Sequence, residues 1–362
     1  MYESVDDYCV KSNILIKKNV ELSTISYSAT GKNVDRLFYP SSNNQLIDLI
    51  KILNKKDYSY RIIGETTNLL FLDSVSYSIF ISTKLIDCVE FLADRQVKVE
   101  CGRKIPVFVR DVSAKSYTGF EGLEGIPGSV GGAIIMNAGA YGNYISDNLI
   151  SVEVLSDCKS FVEVLTKEEC LFSTRSAINL SGRVVLSATF SLQKGNAELI
   201  ERKIRKFHIS RHLYQEWVYP NLGSIFILLD ENIHYKLINS KHFKSRSNLF
   251  YKIYIDFIVA LLKTKVGTLF RRAKPLFSSY EFLLKTIFPE VFESKIRSRC
   301  TINTFANRDK SSFDILRYIY SVKKFSNDLK LENEIALDSI SKVINKDEYK
   351  KCLNLVKKIA QR

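Results

Sequence analysis

The sequence predicts an α+β protein of several domains, from the order of its patterns and from its length. Helix and strand patterns alternate over the first third of the chain, strand patterns fill the middle, and helix patterns dominate the rest. The 362 residues suggest two or three domains at roughly 150 residues each. A composition that is 46% hydrophobic and 25% charged fits a packed globular protein and excludes a disordered one.

The first third begins with a predicted helix over residues 45–53, whose apolar positions recur at helical spacing. Ser41 and Ser42 precede it and can cap its first turn. The further expected elements are strands at residues 58–63, 77–82 and 96–100 and a helix at residues 106–117.

The middle and last thirds differ in their periodicity. Alternating β-branched segments predict strands at residues 151–156, 161–165 and 183–192. Helix patterns follow at residues 197–211, 312–325 (with Ser312 as a candidate cap) and 347–359, with a short strand at residues 330–336.

The positive charge of the chain is unevenly distributed. Lys and Arg number 53 against 39 Asp and Glu, which gives a net charge of +14. Residues 241–300 carry thirteen of these basic residues, four acidic residues and eleven Phe and Tyr. Such a block is typical of core helices with solvated lysine faces, or of an amphipathic surface that meets an anionic membrane or a lipid-linked glycan. No nucleic-acid motif is present, so we expect no nucleic-acid partner.

Cysteine and histidine usage favours a reducing cytoplasm and no metal site. The seven cysteines are widely spaced without a CxxC pair, and the first residues lack the pattern of a signal peptide. His208 and His212 stand four residues apart with no third ligand nearby, so we expect a structural or surface role for them. The longest apolar stretch, residues 253–262, is too short for a transmembrane helix.

The most informative segment is residues 119–142, which hold eight of the fifteen glycines. Glycine permits positive φ angles and lets a backbone approach a ligand closely. Successive N–H groups in such a loop can bind a pyrophosphate. The alternative is a tight structural turn, and the pattern is not the GxGxxG of a Rossmann fold.

A second candidate segment is residues 64–72, where a predicted strand ends at Gly64. Thr66, Thr67 and Asn68 then offer short polar side chains for phosphate oxygens. Taken alone, the segment is more typical of a plain strand-turn-strand connection.

Together these two segments resemble the UDP-N-acetylenolpyruvoylglucosamine reductase (MurB) family. The stretch IPGSVGGAIIMNAGAYG is nearly the family's glycine motif, and GETTNLLFL is similar to its flavin loop, with Thr66 and Thr67 in place of glycine and serine. The resemblance implies the two-subdomain FAD-binding fold of the vanillyl-alcohol-oxidase type, plus a divergent, mostly helical substrate lobe. It assigns FAD to Gly64, Glu65, Thr66, Thr67, Asn68, Leu69, Ile126, Pro127, Gly128, Ser129, Gly131, Gly132, Asn137, Ala138 and Gly139.

The same resemblance implies reduction of an enolpyruvyl UDP-sugar by NADPH, in peptidoglycan synthesis. Arg175 takes the place of the arginine on the substrate carboxylate, Ser224 that of the proton donor, and Glu334 that of the catalytic glutamate. Tyr141 and Tyr219 match positions beside the substrate. The chemistry is coherent, because a guanidinium stabilises charge that develops on the carboxylate and a hydroxyl delivers the proton.

The substrate half departs from the family. Residues 225–229 are apolar where the family has F-K-N-P, Thr174 replaces a tyrosine, and residues 241–300 replace a glycine-rich motif. Two alternatives therefore stand beside the reductase: a relative acting on another glycan precursor in surface polysaccharide synthesis, and a flavin-binding protein that has lost the reaction.

By analogy we expect three parts. Residues 1–86 with 335–362 form the first flavin subdomain, residues 87–205 the second, and residues 206–334 the substrate lobe.

Overall fold

The computed structural model describes residues 2–156, 161–227, 294–298, 303–324 and 329–361. Of the basic aromatic block at residues 241–300, only residues 294–298 lie within these ranges. The predictions made for that block, and for residues 228–229 of the apolar segment, therefore fall outside the described residues.

Helices and strands alternate along the first part of the chain. The helices are α1 (Glu3–Lys11), α2 (Asn43–Lys55), α3 (Ile105–Ala114), α4 (Val130–Ile135), α5 (Ala197–Tyr214), α6 (Ser312–Lys323) and α7 (Lys346–Ala360). The strands are β1 (Leu15–Glu21), β2 (Asn33–Tyr39), β3 (Tyr60–Ile63), β4 (Leu69–Leu70), β5 (Val75–Ser82), β6 (Val89–Leu92), β7 (Gln96–Glu100), β8 (Tyr117–Thr118), β9 (Gly139–Ala140), β10 (Asn143–Tyr144), β11 (Leu149–Ser156), β12 (Val162–Thr166), β13 (Phe172–Ser173), β14 (Ser176–Ala177), β15 (Arg183–Ser191), β16 (Gln193–Lys194), β17 (Phe226–Ile227), β18 (Lys330–Leu331), β19 (Glu334–Ile335) and β20 (Ile340–Val343).

The first sheet is mixed and has the order β1-β2-β5-β20, with β3 also on β5. Strands β2 and β3 run parallel to β5, whereas β1 is antiparallel to β2 and β20 is antiparallel to β5. Strands β3 and β20 pair with the two ends of β5, since β3 begins opposite Ile79 and β20 lies opposite Val75–Tyr77. The C-terminal part of the chain thus returns to the N-terminal sheet.

The second sheet is antiparallel throughout, with the order β12-β11-β15-β7-β6. Its central strand β15 is buried along most of its length, as expected for a strand that pairs on both sides. Helix α4 and the glycine segment at residues 119–142 pack against this sheet.

Apolar faces form two clusters of buried side chains. One cluster joins α1, α2, α3 and one face of the first sheet to the second sheet. Helix α2 contributes Leu46, Leu49, Ile50 and Leu53 to it at helical spacing. The other joins the opposite face of the first sheet to α6 and α7, and includes Phe226 and Phe305. Because Phe226 belongs to this core, the apolar residues at 225–227 pack inside the protein.

The structure contains the predicted elements with shifted ends and three corrections. The helix expected at residues 106–117 ends at Ala114, and β8 follows it. The strand expected at residues 330–336 is two short strands, since the chain breaks its pairing at Glu332 and Asn333.

The third correction concerns the cap of α6, which is Ser311 and not Ser312. The Ser311 hydroxyl accepts a hydrogen bond from Asp314 N, whereas Ser312 Oγ accepts one from Asp73 N. Ser312 is therefore held by the loop between β4 and β5 and lies within the helix.

His208 and His212 contact each other on α5. The Nε2 atoms of His208 and His212 are 3.0 Å apart and the His212 ring stacks on Trp217. No group of three metal-ligating side chains occurs in the described part of the chain. Among these same residues, no helix is both long enough and apolar enough to span a membrane.

Candidate active site

A cleft of about 510 Å³ lies where the loops of the two sheets meet. Both glycine-bearing segments, residues 64–69 and 126–139, line it although they are some sixty residues apart in sequence. Every residue predicted to hold FAD lines this cleft except Asn137. Arg175, Ser224 and Glu334 line it as well. The structure thus brings the predicted cofactor residues and the predicted catalytic residues to one place.

The two segments are in direct contact, and a glycine of each lies where they meet. A Cβ atom on Gly64 would lie 2.5 Å from Ser129 Oγ, and one on Gly128 would lie 3.2 Å from Thr67 Oγ1. Gly128 also has a φ of +138°, which residues with a side chain rarely adopt. The Thr67 hydroxyl donates a hydrogen bond of 3.1 Å to Pro127 O. The segments therefore form one small-residue wall of the cleft.

Thr66 keeps the backbone conformation expected of a glycine. Its φ is +59°, a left-handed value that is unusual for a β-branched residue. Its hydroxyl accepts a hydrogen bond of 3.0 Å from Tyr27 N. This contact offsets part of the cost of the conformation and ties the loop before β2 to the wall.

Arg175 is presented by the tight β13–β14 hairpin. Its own backbone is left-handed, with φ of +58°, and its Nη1 donates to Gly139 O at 3.1 Å. Its Nε lies 2.9 Å from Glu332 Oε1. The guanidinium is therefore fixed between the glycine segment and an acidic side chain on the opposite side of the cleft.

Ser224 is held through its backbone by Asn333. The Asn333 amide donates to Ser224 O, Leu222 O and Asn68 Oδ1 at 2.9–3.1 Å. The Asn68 amide in turn donates to Glu332 O. Two asparagines thus fasten the Ser224 segment, the β18–β19 connection and the flavin loop to each other.

The two acids of residues 331–335 (LENEI), Glu332 and Glu334, have different surroundings. Glu334 Oε1 pairs with Arg61 Nη1 at 2.7 Å, and the Glu334 side chain is 56% exposed. Glu332 pairs with Arg175, and its side chain is only 16% exposed. Burial raises the pKa of the Glu332 carboxyl, and the nearby Arg175 offsets part of that rise.

Three predicted residues lie beside the cleft and do not line it. Asn137 donates to Ser173 O and so supports the hairpin that carries Arg175. The Tyr141 ring stacks on Phe207 with its centroid 4.6 Å away, and Tyr219 lies against the Arg308 guanidinium. Their roles toward a cofactor or substrate stay predictions.

Arg211 is a cleft residue that sequence reasoning missed. It is 3% exposed, and its guanidinium donates to Glu124 O and Gly122 O, which anchors α5 to the glycine segment. Burial lowers its pKa. The helical pattern of residues 197–211 gives no indication of this burial, because the basic residues on α5 look alike in sequence.

Glu332 and Arg61 are two further residues that were missed. Glu332 could have been found, because residues two apart in an extended segment share a face and Glu334 was already a candidate. Arg61 lies in a predicted strand, and nothing in the sequence indicates its ion pair with Glu334.

The wall formed by residues 64–69 and 126–132 fits a dinucleotide cofactor. Glycines let backbone N–H groups approach a pyrophosphate, and the cleft has the size of known cofactor sites. Glu65 Oε1 is buried without a hydrogen-bond partner in the described residues, which leaves one acceptor for a hydroxyl-bearing ligand. These observations define the chain as a dinucleotide-binding protein with a charged reaction site beside the cofactor wall.

Comparison with known proteins identifies the family. The FAD binding domain family matches residues 34–160. The UDP-N-acetylenolpyruvoylglucosamine reductase of Lactococcus lactis subsp. cremoris (strain MG1363) is 35% identical over 215 residues, which are 59% of this chain and 71% of that protein. The enzyme of the same name from Latilactobacillus sakei subsp. sakei is 36% identical over 214 residues, 59% of this chain and 70% of that protein.

A solved structure agrees. The crystal structure of the MurB reductase from Thermus caldophilus superposes with a TM-score of 0.61 at 19% identity, over 89% of this chain and 99% of that one. At 19% identity, this superposition shows a shared fold alone. The two sequence relatives, at 35% and 36% identity, show the shared family. The chain belongs to the UDP-N-acetylenolpyruvoylglucosamine reductase family.

Proposed function

We propose that this protein is an FAD-dependent reductase that converts an enolpyruvyl UDP-sugar to its lactyl form with NADPH as electron donor. The substrate is UDP-N-acetylenolpyruvoylglucosamine and the product is UDP-N-acetylmuramate, a peptidoglycan precursor. The observation that carries the proposal is the convergence of Arg175, Ser224 and Glu334 on a cleft whose wall is the family's glycine segment.

The side chains divide the work of the reaction. Arg175 binds the substrate carboxylate, and its positive charge stabilises the electron density that develops there when the double bond is reduced. The Ser224 hydroxyl delivers a proton to the carbon next to that carboxylate. Glu334 is the third catalytic residue. Strand β19 carries it to the cleft, and an ion pair with Arg61 fixes its side chain.

Residues 64–69 and 126–139, which line the cleft, are the ones that would hold FAD. When bound, FAD supplies the hydride chemistry, which no amino-acid side chain provides. Water must be kept from the reacting carbons, and the side chains of Trp217 and Leu222 at the cleft contribute to that exclusion.

The division into three parts follows from the same proposal. Residues 1–86 with 335–362 and residues 87–205 form the two flavin subdomains, and residues 206–334 form the substrate lobe. A cytoplasmic location is consistent with the five described cysteines, all of which are free thiols. Contact of residues 241–300 with a membrane surface or a lipid-linked glycan stays a prediction.

A steady-state assay tests the proposal. NADPH oxidation should be fast with UDP-N-acetylenolpyruvoylglucosamine and should stay at the background rate with UDP-N-acetylglucosamine, which lacks the enolpyruvyl group. An equal rate with both sugars, or none with either, would contradict it.

A second candidate function is favoured by one observation, the apolar strand that follows Ser224. Phe226 and Ile227 are buried and pair with β18, so the polar residues that the family has at this point are replaced by core. A relative acting on another enolpyruvyl or unsaturated glycan precursor would use the same cofactor with a different sugar. A panel of such sugars in the same assay distinguishes it, and a flavoprotein inactive toward the whole panel would indicate that the reaction has been lost.

A further inference from the structure

The Arg175 that is proposed to bind the substrate carboxylate already has a carboxylate partner in the protein. Glu332 Oε1 lies 2.9 Å from Arg175 Nε, and both side chains line the cleft. A second carboxylate at Arg175 would place two like charges together in a partly buried site, which disfavours having both of them ionised. Arg61 does pair with two carboxylates, Glu334 and Asp338, but both of those side chains are more than half exposed. The charge on Glu332 therefore opposes binding of the substrate carboxylate.

Glu332 cannot easily move out of the cleft, because its backbone is fixed on both sides. Its N–H donates to Ile225 O at 2.8 Å, and its carbonyl accepts from Asn68 Nδ2 at 3.1 Å. The next residue, Asn333, is clamped to the Ser224 segment. The carboxyl group can rotate but stays within the cleft.

Protonation of Glu332 removes this repulsion without any movement of the chain. Burial already favours the neutral form of the Glu332 carboxyl, and Arg175 is the group that opposes it. Once a substrate carboxylate neutralises Arg175, that opposition is lost. A neutral Glu332 can also donate a hydrogen bond to the incoming carboxylate, where an ionised one would repel it.

The other charged groups of the cleft in the described residues have partners of their own. Arg61 is paired with Glu334 and Asp338, Arg183 with Glu163, and Glu65 faces Lys84 and Lys104. Arg211 is bonded to two carbonyl groups, and Glu216 accepts from Ser298 Oγ and Val218 N. None of these groups forms an ion pair with Glu332 that could replace its pair with Arg175.

We propose that Glu332 is the internal counterion of Arg175 and that it takes up one proton when the substrate carboxylate binds there. The inference rests on the proposed function, because it needs a carboxylate ligand at Arg175. One anion and one proton enter the cleft together, so the net charge of the site does not change. Glu332 is thereby a positioning residue that holds Arg175 in the free enzyme and makes carboxylate binding depend on pH.

Calorimetry of the oxidised FAD-loaded enzyme without NADPH measures this uptake directly. Titrations with UDP-N-acetylenolpyruvoylglucosamine over a series of pH values, in buffers of different ionisation enthalpy, should show an uptake that reaches about one proton per bound ligand at its maximum. UDP-N-acetylglucosamine, which lacks the carboxylate, should bind with no uptake. Binding of the carboxylate ligand without proton uptake would overturn the inference and leave the proposed function standing. If neither sugar binds, the proposed function fails, and the inference fails with it.

Two variants assign the proton to one of the two acids. In Glu332→Gln the uptake should disappear and KM should become independent of pH. The wild-type KM should rise by about tenfold per pH unit between the pKa of Glu332 in the free enzyme and its higher pKa in the complex. Glu334→Gln should retain the uptake, whatever its effect on kcat. Loss of the uptake in Glu334→Gln, or a normal uptake in Glu332→Gln, would overturn the assignment. A residue with a merely structural role would change stability without changing the pH profile.

Discussion

Gly128 lies where the two segments of the cleft wall meet, and it allows the proposed cofactor site to be tested at a single residue. Residues with a side chain rarely adopt its φ of +138°, and a Cβ atom there would lie 3.2 Å from Thr67 Oγ1, closer than ordinary contact. Gly128→Ala should therefore weaken FAD binding by about tenfold, since a strained backbone of this kind costs roughly 1–2 kcal/mol. Titration of the apoprotein by flavin fluorescence quenching measures the change.

Gly182→Ala provides the matched control. Gly182 also has a positive φ, of +74°, but a Cβ atom there would meet nothing within 4 Å, and Gly182 is not among the residues that line the cleft. That variant should lose stability and keep its affinity for FAD. An equal loss of affinity in both variants would show that the effect is general strain.

Ser224 carries the proton-transfer prediction. Ser224→Ala should leave reduction of the bound flavin by NADPH unchanged and should slow reoxidation by substrate by about 10²- to 10⁴-fold, the usual contribution of a positioned acid. Stopped-flow absorbance separates the two half-reactions. Ser181→Ala, at an exposed serine, is the control and should behave as wild type. Wild-type reoxidation in Ser224→Ala would exclude Ser224 as the proton donor.

Which residues line the cleft was predictable from the sequence only where one motif decides it. The glycine segment was found, because glycines cluster visibly at residues 119–142. The difference between Glu332 and Glu334 was not, because both face the same side of an extended segment. The Glu332 carboxylate is partly buried beside Arg175, and its carbonyl accepts from Asn68, a residue 264 positions away. No local pattern records either contact.

At the scale of elements, the β18–β19 connection links the segments that form the site. Asn333 bonds to three acceptors on two other segments, and its side chain is buried. Asn333→Leu leaves those buried acceptors without donors, which should cost on the order of 3 kcal/mol of unfolding free energy and lower kcat as Ser224 shifts. Urea unfolding and the steady-state assay measure the two effects.

Asn54→Ala, at an exposed position of α2, is the control and should change the unfolding free energy by less than about 0.5 kcal/mol. If Asn333→Leu unfolds at the wild-type urea midpoint, the three hydrogen bonds of Asn333 do not stabilise the link between these segments.

Elements with a buried face were the easier ones to predict. The helix at residues 45–53 and the strand at residues 96–100 were found, since each buries alternate or helically spaced apolar residues. Strand β1 was not, because it lies at the edge of its sheet and exposes most of the sequence LIKKNVE, including both lysines. An exposed edge strand needs no hydrophobic alternation, so the sequence does not reveal it.

At the scale of the whole molecule, the returning C-terminal segment is what closes the site. Strand β19 pairs with β4, which lies within the flavin loop, and β20 pairs with β5. Glu332 and Glu334 thereby reach residues that lie more than 260 positions earlier in the chain. The sequence predicted an α+β protein with these parts, but the pairing of its two ends follows from tertiary contacts that have no local pattern.

The central claim is that the cofactor in this cleft passes electrons from NADPH to an enolpyruvyl UDP-sugar. The most direct measurement is an anaerobic titration of the FAD-loaded protein followed by absorbance near the flavin maximum. One equivalent of NADPH should bleach the flavin, and one equivalent of UDP-N-acetylenolpyruvoylglucosamine should then restore its colour, whereas UDP-N-acetylglucosamine should not. A flavin that stays reduced after addition of the enolpyruvyl sugar would contradict the claim.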